Sequence, residues 1–564
     1  MTHAHDASTA AAVPRPQGIA RYLPLSLIAV ALVAALMHFL PYLYAARQTP
    51  PGWEFTGYLN GSPDEMQYRM LMQRSLQMGP IVDDPLTTEP HKPHIVVLFY
   101  WGVGHLAKAL DARPGMVYGV LGGLFAVAIA LLLFWIVDHF SRSRTQTWWV
   151  YLALVFGGGF GAHLKWLDSI DRLRDIHLWS QIVSGGLNAA TIFEAYRNHY
   201  IFTTLFDSHF LFFLLTALLA IVALYWTMAR FSVGRMVVTA LAFGAVTVLH
   251  IYDGVTLLAI GGGILFLFWV KGGMPTRAML MTLVACALCV GAPVAWQLSL
   301  FKHSGLGIPE WRAPAILFSE LALAYPLAWG LIAWGLGDYW RRAGLDEVFL
   351  LGWVLGCVAL TLSGPFYPYS DRGVLTLQVP AMIIAGSVYF SRYARVKASH
   401  AAFAIFTLAA TPAWKLYREA ATTSFDSHPS GEAPVYIWMA PGHQQVSKAL
   451  LAKATPRDIL IVPKERFAFR TDDLWLTMGF PGRLYAGHYA LTLDYEKKKD
   501  EVNAFFKEAD PVKGPAFLTK AKIRFVYLRK EEGADRFEHM PGLSTLAKTD
   551  VGTLYEFTGV AATP

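Results

Sequence analysis

Charge is what this sequence lacks. Of its 564 residues only 15% are Asp, Glu, Lys or Arg, against about 25% in an ordinary soluble domain, while 55% are apolar or aromatic. The shortage is uneven. The first 417 residues hold 27 basic and 21 acidic side chains and the last 147 hold 20 and 19, or about 12% and about 27% charged. A soluble core cannot hide so much apolar surface with so few charges, so the first part reads as a multi-pass membrane protein and the second as a soluble domain. That excludes a purely cytosolic enzyme. Cysteine is scarce as well: only Cys286, Cys289 and Cys357 occur, all in apolar runs. The soluble part therefore has neither a disulfide framework nor a zinc site, and the C-x-x-C of Cys286 and Cys289 reads as two small apolar side chains in a membrane helix. Neither a G-x-G-x-x-G nor a P-loop is present, so nucleotide chemistry has no support. The net charge of +7 does not point to nucleic acid, because the soluble part is near neutral and carries no basic stripe.

What is present is a series of about eleven apolar runs long enough to cross about 30 Å of hydrocarbon. They lie near 22–44, 115–137, 148–167, 210–228, 236–250, 255–270, 278–298, 315–337, 348–364, 373–389 and 401–416. The pair flanking His250 is short on both sides. One set of loops holds Arg15, Arg21, Arg142, Arg144, Arg230, Arg235, Lys271, Arg277, Arg341, Arg342, Arg392, Arg395 and Lys397; the short alternate loops hold only Lys302, Arg312 and Arg372. By the positive-inside rule the N-terminus is cytoplasmic, and an odd number of spans puts the soluble domain outside. The expected organisation is a small polar tail at 1–21, read as disordered, a membrane domain at 22–417 with long outer loops at 45–114 and 168–208, and an outer α/β domain at 418–564. The first run is too long for a signal-peptide core and reads as a retained anchor in a plasma (inner) membrane. Of the membrane part's 21 carboxylates, 15 face outward, mostly in the two long loops, which places any chemistry at the outer face.

In the first of these loops, Asn60-Gly-Ser-Pro-Asp-Glu-Met-Gln-Tyr opens a helix: Ser62 is the N-cap, Pro63 sits at N1, and Glu65 can close a capping box. Gly79-Pro80 ends it. Met66, Met70, Leu71 and Met78 give it an apolar face suited to a membrane interface. On local grounds Glu65 is a cap and Asp64 complements the helix dipole. Asp83-Asp84-Pro85, further along, is either an acidic or metal-ligating pair or an ordinary Asp-Pro turn. A long first outer loop, an Asp-Glu pair opening its helix, and Glu89-Pro90-His91-Lys92-Pro93 before the next apolar segment resemble the GT-C superfamily of polyprenyl-phosphate-sugar glycosyltransferases. The pattern is similar to protein O-mannosyltransferases and lipid A aminoarabinose transferases. His91 interrupts their Glu-Lys-Pro-Pro motif.

The resemblance implies that Asp64 is the catalytic base and that Asp168, or less well Asp171, assists it; the alternative for these two is helical pairing with Arg172 or Arg174. It implies a lipid-linked sugar donor whose phosphate meets Lys92, Arg197, His199 and Arg372, Arg372 having the planar fork that suits phosphate oxygens. Aromatic-belt anchoring competes at Arg197 and His199, and a local pair with Asp371 competes at Arg372. One carboxylate suffices, because a phosphate leaving group needs positive charge more than a proton, and direct displacement inverts the anomeric carbon. His250 and Asp253 have an i, i+3 spacing that suits a metal or a hydrogen-bonded helix end. Glu320, inside a span, is a candidate cavity-lining residue with no assigned role. A divalent metal (Mg or Mn) is a candidate cofactor, and the expected acceptor is a glycan, lipid or protein. A lipid-linked-glycan flippase, or a glycan polymerase or ligase, is the alternative; a flippase would favour inverted repeats and mid-membrane charges, which are not evident.

The C-terminal part alternates between helix-like and strand-like runs: 444–454, 458–462, 495–509, 523–528 and 553–557. Gly482 to Tyr489 is its most loop-like polar and aromatic cluster, either a packed turn or a contact for an acceptor glycan.

Overall fold

The computed structural model of the chain describes residues 24–59, 63–159, 163, 200–272, 277–306, 316, 321–322, 324–425, 435–463, 474–477, 479–487, 492–530, 533 and 536–559. The membrane part is built from α1 (Leu25–Arg47), α2 (Pro63–Met78), α3 (Leu98–Ala109), α4 (Pro114–Phe140), α5 (Arg144–Phe156), α6 (Ser208–Ala229), α7 (Val233–Leu249), α8 (Ile251–Val270), α9 (Arg277–Ser304), α10 (Pro326–Arg341), α11 (Leu345–Leu362), α12 (Gln378–Arg392) and α13 (Ala398–Thr422). The C-terminal part adds α14 (Pro441–Leu451), α15 (Tyr495–Glu508) and α16 (Lys513–Lys520). Among the described residues seven helices are long and apolar enough to cross a membrane, and α7 is a shorter apolar helix. The chain is a multi-pass membrane protein.

A helix stands at each of the eleven expected places, with local chemistry setting the ends. Ser143 and Ser232 cap α5 and α7 by accepting from Gln146 N and Arg235 N, both at 3.2 Å. Asp207 caps α6, accepting from His209 N at 3.1 Å and Phe210 N at 3.4 Å. Pro114 and Pro326 occupy the first turns of α4 and α10. No loop separates α7 from α8: His250 alone is extended between them (φ −154°, ψ 99°). The run expected from 373 starts instead as a 3-10 turn at Ser370–Val374 before α12.

Glycines let helices meet at backbone distance. A Cβ on Gly352 would stand 2.4 Å from Cα of Ile264, and one on Gly356 2.4 Å from the carbonyl oxygen of Ala259. Gly352 and Gly356 thus form a G-x-x-x-G face on α11 that packs on α8.

The basic loops gather at one end of the bundle. There Arg142 reaches Glu347 at 3.4 Å, Lys271 donates to the Trp340 carbonyl at 2.7 Å, and Arg392 reaches Asp338 at 3.4 Å. The first long loop and the C-terminal domain share the opposite end. The short strands β1 (Glu54–Phe55), β2 (Ile81–Val82) and β3 (Ile95–Val96) belong to that loop, β1 pairing with β4 (Trp438–Met439) and β2 with β3. The domain's own sheet has β5 (Ile459–Ile461), β6 (Arg483–Leu484), β7 (Ile523–Arg529), β8 (Leu543–Lys548) and β9 (Gly552–Phe557) in the order β6-β5-β7-β9-β8. It is parallel at β6-β5-β7 and antiparallel at β7-β9-β8.

Helix α2 buries part of the apolar face that its sequence offers. It ends as expected, at Met78 before Gly79 with φ +87°. Met70 enters the core of the C-terminal domain beside Val446, Leu450, Leu460 and Trp475, and Leu71 and Met72 pack with α3 and α4, whereas Met78 is exposed. Burial against protein removes this surface from water as well as lipid would.

Candidate functional site

At the end of the bundle beneath α2, polar and aromatic side chains from five segments converge. Tyr68 of α2 stacks on Tyr100 of α3 (centroids 4.8 Å apart) and on His209 of α6 (4.5 Å). The Tyr68 hydroxyl lies 3.4 Å from His209 Nε2, and the Tyr100 hydroxyl pairs with His209 Nδ1. His250, between α7 and α8, stands 5.7 Å from the His209 ring, and its Nδ1 is 2.9 Å from Asp253 Oδ2. That contact lacks hydrogen-bond geometry, so neither buried oxygen of Asp253 has a hydrogen-bond donor among the described residues. Arg372 closes the group from the 3-10 turn. Its guanidinium lies 5.1 Å from the centre of the Phe210 ring, and its Nε is 3.9 Å from Asp371 Oδ2, too far for a hydrogen bond. Asp371, Asp253, Tyr68 and Tyr252 are among the groups with which it interacts electrostatically, and His209 is another. Burying polar atoms without partners costs about 1–3 kcal/mol each, so the unpaired Arg372 Nε, Asp253 oxygens and Ser370 Oγ mark a place built to receive something polar.

The structure therefore brings His250, Asp253 and Arg372 into one cluster. Position 64 lies in the first turn of α2, one turn before Tyr68 on the same helix face, so the backbone aligns it with the cluster; the side chains of Asp64 and Glu65 lie outside the described residues. Asp168, Asp171, Arg197, His199 and Glu320 also lie outside them. Lys92 is exposed, and no described contact joins its side chain to Arg372; its backbone N–H donates to Ser304 O at 3.0 Å, pinning the loop to the end of α9.

Asp83 and Asp84 belong to a different structure, the hairpin β2-β3 docked on the C-terminal domain. Asp83 accepts from Arg74 Nε at 2.5 Å and Nη2 at 2.6 Å, and from Arg483 Nη2 at 2.6 Å. These two cations hold its carboxyl at about 2, below the usual range, against the opposing effect of burial. Asp84 is enclosed; among the described residues the Leu86 N–H, at 2.8 Å, is the one donor to its carboxylate, and burial raises its pKa to about 7. The Asp84 N–H donates to His91 Nε2 at 2.8 Å, while His91 Nδ1 meets the Glu89 carbonyl at 2.6 Å. Burial lowers the His91 pKa, in keeping with a ring whose Nε2 accepts a hydrogen bond. Glu89 pairs with Lys498 Nζ at 2.5 Å. The Glu-Pro-His-Lys-Pro stretch thus serves as a docking strap. Arg483 and Leu484 of the expected loop-like cluster form β6, with Leu484 N donating to Pro85 O at 2.9 Å; His488 and Tyr489 lie outside the described residues. Among the described residues no group of three or more His, Cys, Asp or Glu could hold a metal ion.

Tyr68, Tyr100 and His209 were not singled out from the sequence. A signal existed for His209: an Asp-Ser-His start to an otherwise apolar helix places a titratable ring at the membrane end.

No protein-family model and no curated protein sequence matches the chain. Solved structures do. The apo oligosaccharyltransferase of Archaeoglobus fulgidus superposes with a TM-score of 0.50 at 12% identity, over 89% of this chain and 69% of that one. The arabinofuranosyltransferase AftD from Mycobacteria superposes with a TM-score of 0.52 at 14% identity, over 94% of this chain and 40% of that one. This chain therefore spans less than half of AftD's length. At such identities the likeness is one of fold: this chain has the fold that these glycosyltransferases share.

Proposed function

We propose that the protein is an integral membrane glycosyltransferase that moves a sugar from a polyprenyl-phosphate donor to a hydroxyl of a glycan, lipid or protein acceptor at the outer face of the plasma (inner) membrane. The observation that carries this reading is Arg372: a largely buried guanidinium whose Nε has no hydrogen-bond partner among the described residues, set beside Tyr68, which lies one helical turn from position 64 on α2, and near His209. A fork held without a full complement of acceptors suits a phosphate, which it can bind as the glycosidic bond breaks. Asp64 takes the proton of the acceptor hydroxyl, the hydroxyl oxygen bonds to the anomeric carbon from the face opposite the phosphate, and the C–O bond to the phosphate breaks. Polyprenyl phosphate leaves and the anomeric centre is inverted. Arg197, His199 and Lys92 would add positive charge or hydrogen bonds to the phosphate, and Asp168 would be the second acidic group. A divalent cation would be held by carboxylates at 64 and 168 together with Asp253 or Asp371, whose donor-free oxygens fit that role; bound there it would supply further positive charge to the leaving phosphate. An apolar cavity of about 520 Å³, bordered by Trp149, Phe156, Leu331, Tyr389 and Leu408, supports a lipid-linked donor, although it shares no residue with the arginine cluster.

The test is transfer of labelled sugar from a lipid-phosphate donor in membranes carrying Arg372→Ala or Asp64→Asn. Each variant is expected to lose roughly 100-fold or more in rate. Wild-type transfer by either variant in folded form would reject its assigned role.

A further inference from the structure

The apolar cavity of about 520 Å³ is enclosed by α5, α10, α12 and α13 and lies toward the basic end of the bundle, away from Arg372. On its α13 wall Phe403 and Ile405 are 56% and 59% exposed, so it opens sideways to the bilayer. Pro412 has no N–H for the Leu408 carbonyl; the Gly158 N–H supplies the missing donor at 2.8 Å, and Thr411 Oγ1 donates to the Gly159 carbonyl at 2.5 Å. α13 is thus fastened to the end of α5 just beyond Gly157 and Ala409, and this bounds the cavity on the side away from the basic loops. Polar side chains of the lining gather at the other side, where α12 stops and α13 starts: Tyr389, Tyr393 and His400, with the Tyr389 hydroxyl 2.9 Å from His400 Nδ1. Two cations lie over lining rings there, the Arg392 guanidinium carbon 3.8 Å from the centre of the Trp334 ring and Lys397 Nζ 4.7 Å from that of Tyr393.

The charge at this mouth is one-sided. The end of α10 and the α12–α13 loop carry Arg341, Arg342, Arg392, Arg395 and Lys397 against one carboxylate, Asp338, which Arg341 and Arg392 reach at 3.0 and 3.4 Å. Arg395 and Lys397 have no ion pair among the described residues. The other carboxylates at this end are engaged elsewhere: Glu347 by Arg142 and Asp138 by Arg144, both at 3.4 Å, and Asp346 by the Tyr225 hydroxyl at 2.6 Å. Residues 1–23, which the loop charges place at the same end, lie outside the described residues and hold Asp6 against Arg15 and Arg21, so they add no excess of negative charge.

We infer that this cavity is a binding site for an anionic phospholipid of the leaflet at the basic end, with an acyl chain in the cavity and the phosphate against Arg395 and Lys397. A basic loop alone attracts any anionic surface, and an apolar cavity alone takes any chain; side by side they select a lipid of net negative charge over a zwitterionic one. The site does not depend on the glycosyltransferase reading. A donor with its phosphate at Arg372 has its head at the other end of the bundle, so its chain enters this cavity only through the open side, in competition with the phospholipid.

Photolabelling of the full-length protein in nanodiscs tests this, with phosphatidylglycerol or phosphatidylcholine carrying a diazirine in one acyl chain and the labelled peptides mapped by mass spectrometry. Phosphatidylglycerol is expected to label 149–157 and 400–409, saturating as its mole fraction rises, and phosphatidylcholine to label them about tenfold less. Arg395→Glu and Lys397→Glu together, in an exposed loop, are expected to remove that preference. Ala404→Trp, which narrows the cavity, is expected to lower labelling of both stretches in folded protein, and Arg372→Ala to leave it unchanged. Equal labelling by the two lipids, or a preference untouched by the double charge reversal, would overturn the inference. So would displacement of the label by polyprenyl phosphate at lower concentration than by unlabelled phosphatidylglycerol, which would give the cavity to the donor's chain.

Discussion

At Asp83 two guanidinium groups converge on one carboxylate, while one residue further on Asp84 is enclosed with a single backbone donor. The two side chains consequently give opposite pH dependences. Asp83 has a folded pKa of about 2, below its unfolded value of about 3.9, so its contribution is present above pH 4 and is lost as pH falls toward 2. Asp84 has a folded pKa of about 7, above the same unfolded value, so the folded protein binds the extra proton and stability falls as pH rises from about 4 to about 7. Thermal unfolding in detergent is expected to show that second slope, and Asp84→Asn to flatten it; an unchanged slope in the variant would assign it to other groups. The Asp-Asp-Pro sequence showed a turn and two acids. It could not show which acid is neutralised, because the cation Arg483 and the enclosing surface lie about 400 residues away along the chain. Arg372 was legible as a candidate from its place in a short outer loop and from the family resemblance, but its neighbours Tyr68 and His209 were not, since they come from helices far apart in sequence.

Among elements, the contact of α8 with α11 is the one in which a single methyl group matters most. Gly352→Ala would drive its Cβ to 2.4 Å from the Ile264 backbone, whereas Gly337 in α10 has nothing within 4 Å of an added Cβ. Gly352→Ala is expected to cost about 1–3 kcal/mol and Gly337→Ala to be neutral or slightly stabilising, as measured by melting temperature in detergent. Similar behaviour of the two variants would show that the helices can separate at little cost. Helix α2 shows where element-level reading stops. Its start and end followed from Pro63 and Gly79, yet the sequence did not show that Met70 packs into the C-terminal domain while Met78 stays exposed. Periodicity identifies an apolar face without naming what covers it.

For the whole molecule, the strap at residues 81–96 is joined to the C-terminal domain by Asp83 with Arg483 and Glu89 with Lys498, and α2 is joined to the same parts by Arg74 on Asp83 and by Met70 in the domain core. Such coupling makes them one opening unit. Removing one partner of a buried ion network leaves uncompensated charge, at about 3–5 kcal/mol. Asp83→Ala is therefore expected to speed amide hydrogen exchange in 81–96 and in 481–487 together, with α8 and α11 unaffected. Faster exchange confined to 81–96 would mean that the two parts open independently.

The amino-acid sequence by itself determined the membrane character, the eleven helical stretches, and the alternation of basic and acidic loops. These follow from local hydropathy and charge, which each segment carries wherever it is placed. Only the tertiary structure decided that His250, Asp253 and Arg372 share one cluster with Tyr68, that Asp83 and Asp84 serve docking, and that Met70 of α2 packs into the C-terminal domain. Those outcomes depend on which distant surfaces exclude water from one another, and no segment specifies that alone.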